Sequence, residues 1–260
     1  MESRSPITGD NELVKLGDGY MKIISFSGRA GIGKTTIVRE LMAHLYDDGY
    51  TPVYLPFAFA LKEEADRAGF GKEVNLAEYR KYCQTWGAKM RRQNEDYWVE
   101  RWVDEYEKQL HKETSGERES ETVILVDDCR YINETKAIKD RGGKTVFIAG
   151  GSRNLNDEEG TWRKHESEAL ANLIEKTLEH RPNAVIPFCF LFWNTRTLEE
   201  LEENLVYAYS DWLEESPCNC ELCKARRENR EADMEVVIEE IRKILLSEDI
   251  DPSEIYDEDA

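Results

Sequence analysis

The sequence predicts an α/β fold in which helices cover both faces of a parallel β-sheet. Short apolar runs typical of buried strands alternate with longer segments whose apolar residues recur at helical spacing. A glycine-rich loop joins the first of these strands to the first helix. Strands that alternate with helices in this order favour a parallel sheet that is covered on both sides.

Five segments are expected to be strands, and the helices lie between and after them. Strands are predicted at 21–26, 52–57, 122–126, 145–149 and 185–192. Helices are predicted from the glycine-rich loop to about residue 49, and at 133–141, 166–178 and 198–213. Pro52 and Pro56 cannot donate to a ladder, so the second strand is expected to be short or at an edge.

Residues 61–115 are rich in charged and aromatic side chains and contain almost no turn signals. This composition predicts two or three helices inserted between strands. The whole chain then divides into a polar leader at 1–19, an α/β domain at 20–215 and a C-terminal region at 216–260 with a cysteine cluster, a helix and an acidic end.

Composition excludes some classes of function and location. The net charge of -19 argues against a broad surface for nucleic-acid phosphates. The longest uncharged apolar run, 184–193, is far shorter than the roughly 20 residues that cross a bilayer, so no membrane association is expected. Scattered cysteines and the lack of a signal-peptide pattern at the N-terminus predict a reduced, cytoplasmic protein.

The loop from Gly28 to Thr35 matches the phosphate-binding pattern G-x-x-x-x-G-K-[ST] in full. Its glycines let backbone N–H groups converge on phosphate oxygens, and the helix that follows adds its positive end. Lys34 is expected to reach the β- and γ-phosphates of ATP, and Thr35 to offer its hydroxyl to Mg²⁺. The residues predicted to bind this nucleotide are Gly28, Ala30, Gly31, Ile32, Gly33, Lys34, Thr35 and Thr36.

Asp127 and Asp128 follow the apolar strand at 122–126 directly. A carboxylate in this position can hold the coordination shell of Mg²⁺, so both are candidate metal ligands together with Thr35. The alternative interpretation is that two acidic residues simply open a loop.

Three further features favour a kinase of small molecules. The run from Asp128 to Glu134 places Arg130 beyond the metal strand. The glycine-flanked loop at 150–165 carries Arg153 and Arg163, which could close over phosphates as a lid; a solvated loop is the alternative. The inserted helices carry cations, among them Arg91, that could bind an acceptor phosphate.

These features resemble the deoxynucleoside monophosphate kinases of large bacteriophages, a branch of the P-loop nucleotide kinases. The resemblance covers roughly residues 20–215 and depends on the phosphate loop, on the run Asp128-Cys129-Arg130-Tyr131-Ile132-Asn133-Glu134 and on His165-Glu166-Ser167-Glu168. It implies a nucleoside monophosphate kinase fold, with an acceptor-binding helical insertion and a lid.

The implied activity is transfer of the γ-phosphoryl group of ATP to a deoxynucleoside 5′-monophosphate with Mg²⁺. The resemblance also implies a homodimer and, if the chain is encoded by a phage, the cytoplasm of an infected cell. It implies catalytic roles for Lys34, Arg130, Arg153 and Arg163 and a place for Asn194 near the adenine of the donor. The acceptor-binding residues that it implies are Lys62, Arg80, Gln84, Arg92, Trp98, Arg130 and Glu134.

The sequence also departs from that family. The family often carries an acidic residue soon after a Phe-Ala pair, whereas Phe59 and Ala60 follow Phe57-Ala58 here. Beyond residue 215 there is no counterpart, and Cys218, Cys220 and Cys223 form a C-x-C-x-x-C run. A structural Zn²⁺ site with a distant fourth ligand is one interpretation of this run, and free thiols on a linker are the other.

Two rival functions stay open at the level of sequence. A P-loop ATPase that acts as a switch is one, because Arg29 stands where one such class carries a second lysine. A nucleotide-binding module without catalysis is the other, although the intact Lys34, Thr35 and Asp128 argue against it.

Overall fold

The structure is a computed structural model that describes residues 21–115, 120–150, 169–180 and 186–194 and the pairs 204–205, 208–209 and 212–213. Its strands are β1 (Lys22–Ser27), β2 (Thr51–Tyr54), β3 (Thr122–Val126), β4 (Lys144–Ala149) and β5 (Phe190–Trp193). Its helices are α1 (Lys34–Asp47), α2 (Phe59–Arg67), α3 (Leu76–Gln93), α4 (Tyr97–Thr114), α5 (Ile132–Asp140) and α6 (Ala169–His180).

The five strands form one sheet in the order β2-β3-β1-β4-β5, and every neighbouring pair is parallel. All residues of β3 and β4 are buried, as expected for strands that are covered on both faces. The predicted α/β class, with a parallel sheet between helices, is therefore confirmed.

The two faces of the sheet carry different helices. Ile37, Leu41 and Leu45 of α1 pack on one face, where Leu205 and Trp212 also join the core. Trp102 of α4 and Ile138 of α5 belong to a core on the opposite face. The connections that leave β1 and β3 thus run to opposite faces, which opens a crevice where the carboxyl ends of these two strands meet.

Three helices, α2, α3 and α4, lie between β2 and β3 in the chain. Two tryptophans of α4 fix the insertion, one to the segment after β2 and the other within the insertion itself. The Trp102 indole donates to the Leu55 carbonyl oxygen at 2.9 Å, and the Trp98 indole donates to that of Gly87 on α3 at 3.1 Å.

The strand bounds differ from the expected ones mainly at β2 and β5. β2 is an edge strand, as Pro52 predicted, but it ends at Tyr54 rather than at 57. The segment from Pro56 leaves the sheet because the Phe57 and Ala58 N–H groups bond to Asp128 instead of to a neighbouring strand. β5 begins at Phe190, later than the predicted 185.

Among the described helices, none combines the length and the apolar character needed to cross a membrane.

Candidate phosphate-binding site

The loop between β1 and α1 has a backbone that only glycine adopts easily. Gly28, Gly31 and Gly33 have φ values of 136°, 79° and 97°. A Cβ atom on Gly28 would lie 2.5 Å from the Ile148 carbonyl oxygen, and one on Gly33 would lie 2.8 Å from Asn194 Nδ2. The glycines of the sequence pattern therefore also permit close contact between the loop and the ends of β4 and β5.

Helix α1 begins at Lys34, directly after the loop. The N–H groups of a first helical turn have no acceptor within the helix, and the helix dipole makes this end positive. No acidic side chain occupies the first turn of α1. The loop and the helix start therefore suit an anion such as a phosphate group.

The Lys34 side chain folds back over the loop. Its Nζ donates to the carbonyl oxygens of Gly28 at 2.5 Å and of Arg29 at 2.8 Å. The residue is buried, so the ammonium group lies within the mouth of the loop rather than in solvent. This is the position from which a cation can reach phosphate oxygens that the loop binds.

The carboxylate of Asp127 connects the phosphate loop to the end of β3. Thr35 Oγ1 donates to Asp127 Oδ2 at 2.6 Å, and the Tyr54 hydroxyl donates to Oδ1 at 2.7 Å. Burial, and next the adjacent Asp127, raises the pKa of Tyr54 far above its ordinary value of 10.0, so this phenol stays a donor. Asp127 itself is buried.

Asp128 faces a different element from Asp127. Its Oδ1 accepts the Phe57 N–H at 2.8 Å and its Oδ2 accepts the Ala58 N–H at 3.0 Å, just before α2 begins. A carboxylate at the start of a helix is stabilised by the helix dipole. Burial raises the pKa of Asp128, while the charge of Lys62 and the two N–H donors lower it. The structure thus places Asp127, and not Asp128, beside Thr35.

The pair Thr35 and Asp127 fits a magnesium ion. Both contribute oxygen, and Mg²⁺ in phosphate-transfer sites usually takes few protein ligands and keeps waters and substrate phosphate oxygens. In the part of the chain that the structure describes, no group of three or more His, Cys, Asp or Glu side chains could hold a metal ion. A bound Mg²⁺ would therefore depend on the nucleotide for part of its coordination shell.

Asn194 follows β5 and supports the loop from the other side. Its Nδ2 donates to the Ile32 carbonyl oxygen at 2.5 Å, and its backbone N–H donates to that of Ala149 at 2.8 Å. The side chain predicted to lie near adenine therefore contacts the backbone of the phosphate loop. Trp193, immediately before it, exposes about half of its surface.

Glu134 was predicted to bind the acceptor, but the structure buries it, with 2% of its surface exposed. Its Oε2 accepts the N–H groups of Arg130 at 2.7 Å and Tyr131 at 3.1 Å, which caps the start of α5. Burial raises the pKa of Glu134 to about 7, although Arg91 lowers it. In this conformation the Glu134 carboxylate is directed at the protein's own backbone and holds the loop that carries Arg130.

Arg91 of α3 completes this cluster. Its Nη2 lies 3.8 Å from Glu134 Oε1, and its guanidinium lies 4.0 Å from the centre of the Tyr131 ring. The neighbouring Arg92 is exposed to solvent. Arg91 rather than Arg92 therefore faces the loop after β3.

The other residues predicted to bind the acceptor occupy different environments. Trp98 is 2% exposed and packs with Leu61 between the inserted helices, so in this conformation its side chain belongs to the core and not to an open surface. Arg80 and Gln84 are exposed on α3. Lys62 of α2 is half-buried and lies near Asp128.

Several predicted residues lie outside the described parts of the chain. They are Arg153, Arg163, Cys218, Cys220 and Cys223.

Tyr54 is a site residue that the sequence did not single out, and Arg91 was named only as one of several cations on the inserted helices. Arg91 follows Arg80 by eleven residues and Gln84 by seven, so these three positions share one face of α3, and that spacing could have selected Arg91 over Arg92. The signal for Tyr54 is weaker: it is only a polar aromatic at the end of a predicted edge strand.

Among the solved structures to which the chain is similar is one described as dephospho-CoA kinase from Campylobacter jejuni. The match has 12% sequence identity and a TM-score of 0.37, and it covers 74% of this chain and 96% of that chain. At that TM-score neither a fold nor a substrate is inferred from it. No protein-family model matches the chain, and no curated protein matches it.

Proposed function

We propose that the protein transfers the γ-phosphoryl group of ATP to a deoxynucleoside 5′-monophosphate in a magnesium-dependent reaction. The observation that carries the proposal is the hydrogen bond of 2.6 Å between Thr35 and Asp127. It joins a complete phosphate loop to a carboxylate at the end of a neighbouring parallel strand. These are the two protein parts that a site for a nucleoside triphosphate and Mg²⁺ requires.

The acceptor side of the proposal depends on the loop that follows β3. Asp127 begins this loop, and Arg130 follows three residues later. Glu134 binds both the Arg130 backbone and the Arg91 guanidinium, so it connects the loop to the inserted helices. Two arginines on this side of the crevice could bind the monophosphate of an acceptor opposite the ATP site.

Phosphoryl transfer needs little covalent chemistry from the protein. It requires that donor and acceptor be held in line and that the charge on the transferring group be stabilised. Lys34 at the loop supplies a cation on the donor side, and Arg130 supplies one on the acceptor side. A bound Mg²⁺, held by Thr35 and Asp127, would neutralise phosphate charge between them.

The switch ATPase remains the second candidate, but the contacts of Arg29 do not favour it. The interpretation depended on a basic side chain at this position of the loop. Arg29 Nε lies 2.5 Å from Glu175 Oε2 of α6, so the guanidinium pairs within its own chain. The ion pair also ties the phosphate loop to the helix that follows β4.

A coupled assay of ADP release with each deoxynucleoside and ribonucleoside monophosphate tests the proposal. We expect one or a few monophosphates to stimulate ADP release strongly, with the deoxy form preferred over its ribose partner. Each stimulated reaction should yield the matching diphosphate, identified by chromatography. ATP hydrolysis at the same rate with and without every monophosphate would contradict the kinase and favour the switch.

A further inference from the structure

The hydroxyl of Tyr54 at the end of the edge strand β2 bonds to the carboxylate that faces the phosphate loop. We propose that Tyr54 is a positioning residue for the magnesium-binding carboxylate of Asp127. The inference rests on the magnesium and nucleotide part of the proposed function, and it does not depend on which acceptor is used.

The register of the sheet explains why a tyrosine can make this contact. Tyr54 pairs with Leu125 of β3, and Asp127 lies two residues further along the chain. Two strand residues span about 6.6 Å, so a short hydroxyl side chain at position 54 would not reach the carboxylate. The phenol of a tyrosine covers this distance and places its hydroxyl 2.7 Å from Oδ1.

The two oxygens of Asp127 have separate donors. Thr35 bonds to Oδ2 on the side of the phosphate loop, and Tyr54 bonds to Oδ1 on the side of the sheet edge. The terminal torsion of an aspartate is broad and roughly two-fold, so a single donor leaves the carboxylate plane poorly fixed. The second donor fixes this plane and directs Oδ2 toward the hydroxyl of Thr35, where the cation would bind.

A purely structural role for the Tyr54 ring fits the structure less well. The residue exposes 41% of its surface at an edge strand, so its ring contributes little to the core. The removal of the hydroxyl alone is therefore expected to change the orientation of the carboxylate and not the fold.

The test compares nucleotide affinity with and without the metal. Binding of a fluorescent, non-hydrolysable ATP analogue is measured in EDTA and in excess Mg²⁺, and the ratio of the two dissociation constants is the magnesium enhancement. By linkage this ratio reports how strongly the metal and the nucleotide support each other. Tyr54→Phe should lower the enhancement about 10-fold, the loss typical of a residue that orients a metal ligand. The affinity of this variant for the ATP analogue in EDTA should equal that of the wild type.

Two control variants give the expected upper and lower limits of the magnesium enhancement. Tyr46→Phe removes the hydroxyl of a tyrosine on α1 that is 73% exposed, and it should keep the full enhancement. Asp127→Asn should abolish the enhancement.

Three results separate the ways in which the inference can fail. A Tyr54→Phe protein with the enhancement of the wild type overturns the positioning role alone. If Tyr54→Phe weakens nucleotide affinity equally in EDTA and in Mg²⁺, the positioning role is also overturned. Tyr54 would then act on nucleotide binding or on the fold, and not through the metal. A wild-type protein without any enhancement overturns the magnesium site and the proposed function with it.

Discussion

The phosphate loop and the helical insertion differ in the kind of contact that holds them. In the loop, side chains bond to the main chain of a short segment: Lys34 to the Gly28 carbonyl oxygen, and Asn194 to that of Ile32. In the insertion, contacts join separate helices: the Trp86 indole of α3 donates to Glu64 of α2 at 2.7 Å, and the Trp98 indole of α4 donates to the Gly87 carbonyl oxygen of α3.

This difference determines how well each region is read from sequence. A loop whose backbone binds the ligand needs glycines at fixed spacing, so its pattern identifies both structure and chemistry. The inserted helices carry many charged residues, and only packing decides which of them face a ligand. Arg91 and Arg92 show this, since one contacts Glu134 and the other lies in solvent.

The largest effect is expected on the loop side, from Lys34→Ala. The variant should lose about 1000-fold in kcat, because charge stabilisation of the transferring phosphoryl group is the main catalytic contribution in this chemistry. Single-turnover transfer from labelled ATP measures the loss. Lys136→Ala, which removes an exposed lysine from α5, should keep full activity. If Lys34→Ala folds and keeps the turnover of the wild type, Lys34 does not stabilise the transferring phosphoryl group.

A smaller effect is expected where the insertion meets the loop after β3, at Glu134. Its pKa is raised from 4.5 to about 7, so between these pH values the folded protein binds more protons than the unfolded chain. The free energy of unfolding should therefore fall as pH rises through this range. The contribution of this group is about 3 kcal/mol at most.

Urea unfolding of Glu134→Gln between pH 4.5 and 7 measures this contribution, because the amide cannot titrate. The wild type should lose stability relative to the variant as the pH rises. Glu73→Gln, a change at an exposed position before α3, serves as the control and should follow the wild type. Parallel curves for the wild type and Glu134→Gln would contradict the raised pKa.

The smallest effect separates the two adjacent arginines of α3. Arg91→Ala should raise KM for the monophosphate about 10-fold, the usual consequence of losing a hydrogen bond to a charged group, and leave KM for ATP unchanged. Arg92→Ala should alter neither constant. Initial rates over a range of both substrates give these values, and thermal unfolding checks that Arg91→Ala remains folded. If Arg92→Ala raised KM for the monophosphate more than Arg91→Ala, Arg92 and not Arg91 would be the residue that binds the acceptor.

Much of the fold could be predicted from the sequence. The strand at 122–126 has the predicted bounds because its apolar residues are buried on both faces of the sheet. The second strand was correctly expected to be short or at an edge, since proline has no N–H to donate. Its end was not predicted, because Asp128, a residue distant in sequence, binds the N–H groups of Phe57 and Ala58.

The sequence by itself determined the phosphate loop, because its chemistry belongs to the backbone and its glycines are required by the local φ angles. Only the tertiary structure decided which carboxylate faces Thr35, which arginine faces the loop after β3, and that Trp98 and Glu134 are buried. Those outcomes depend on how separate helices and strands pack together, and the spacing of residues along one segment does not contain that information.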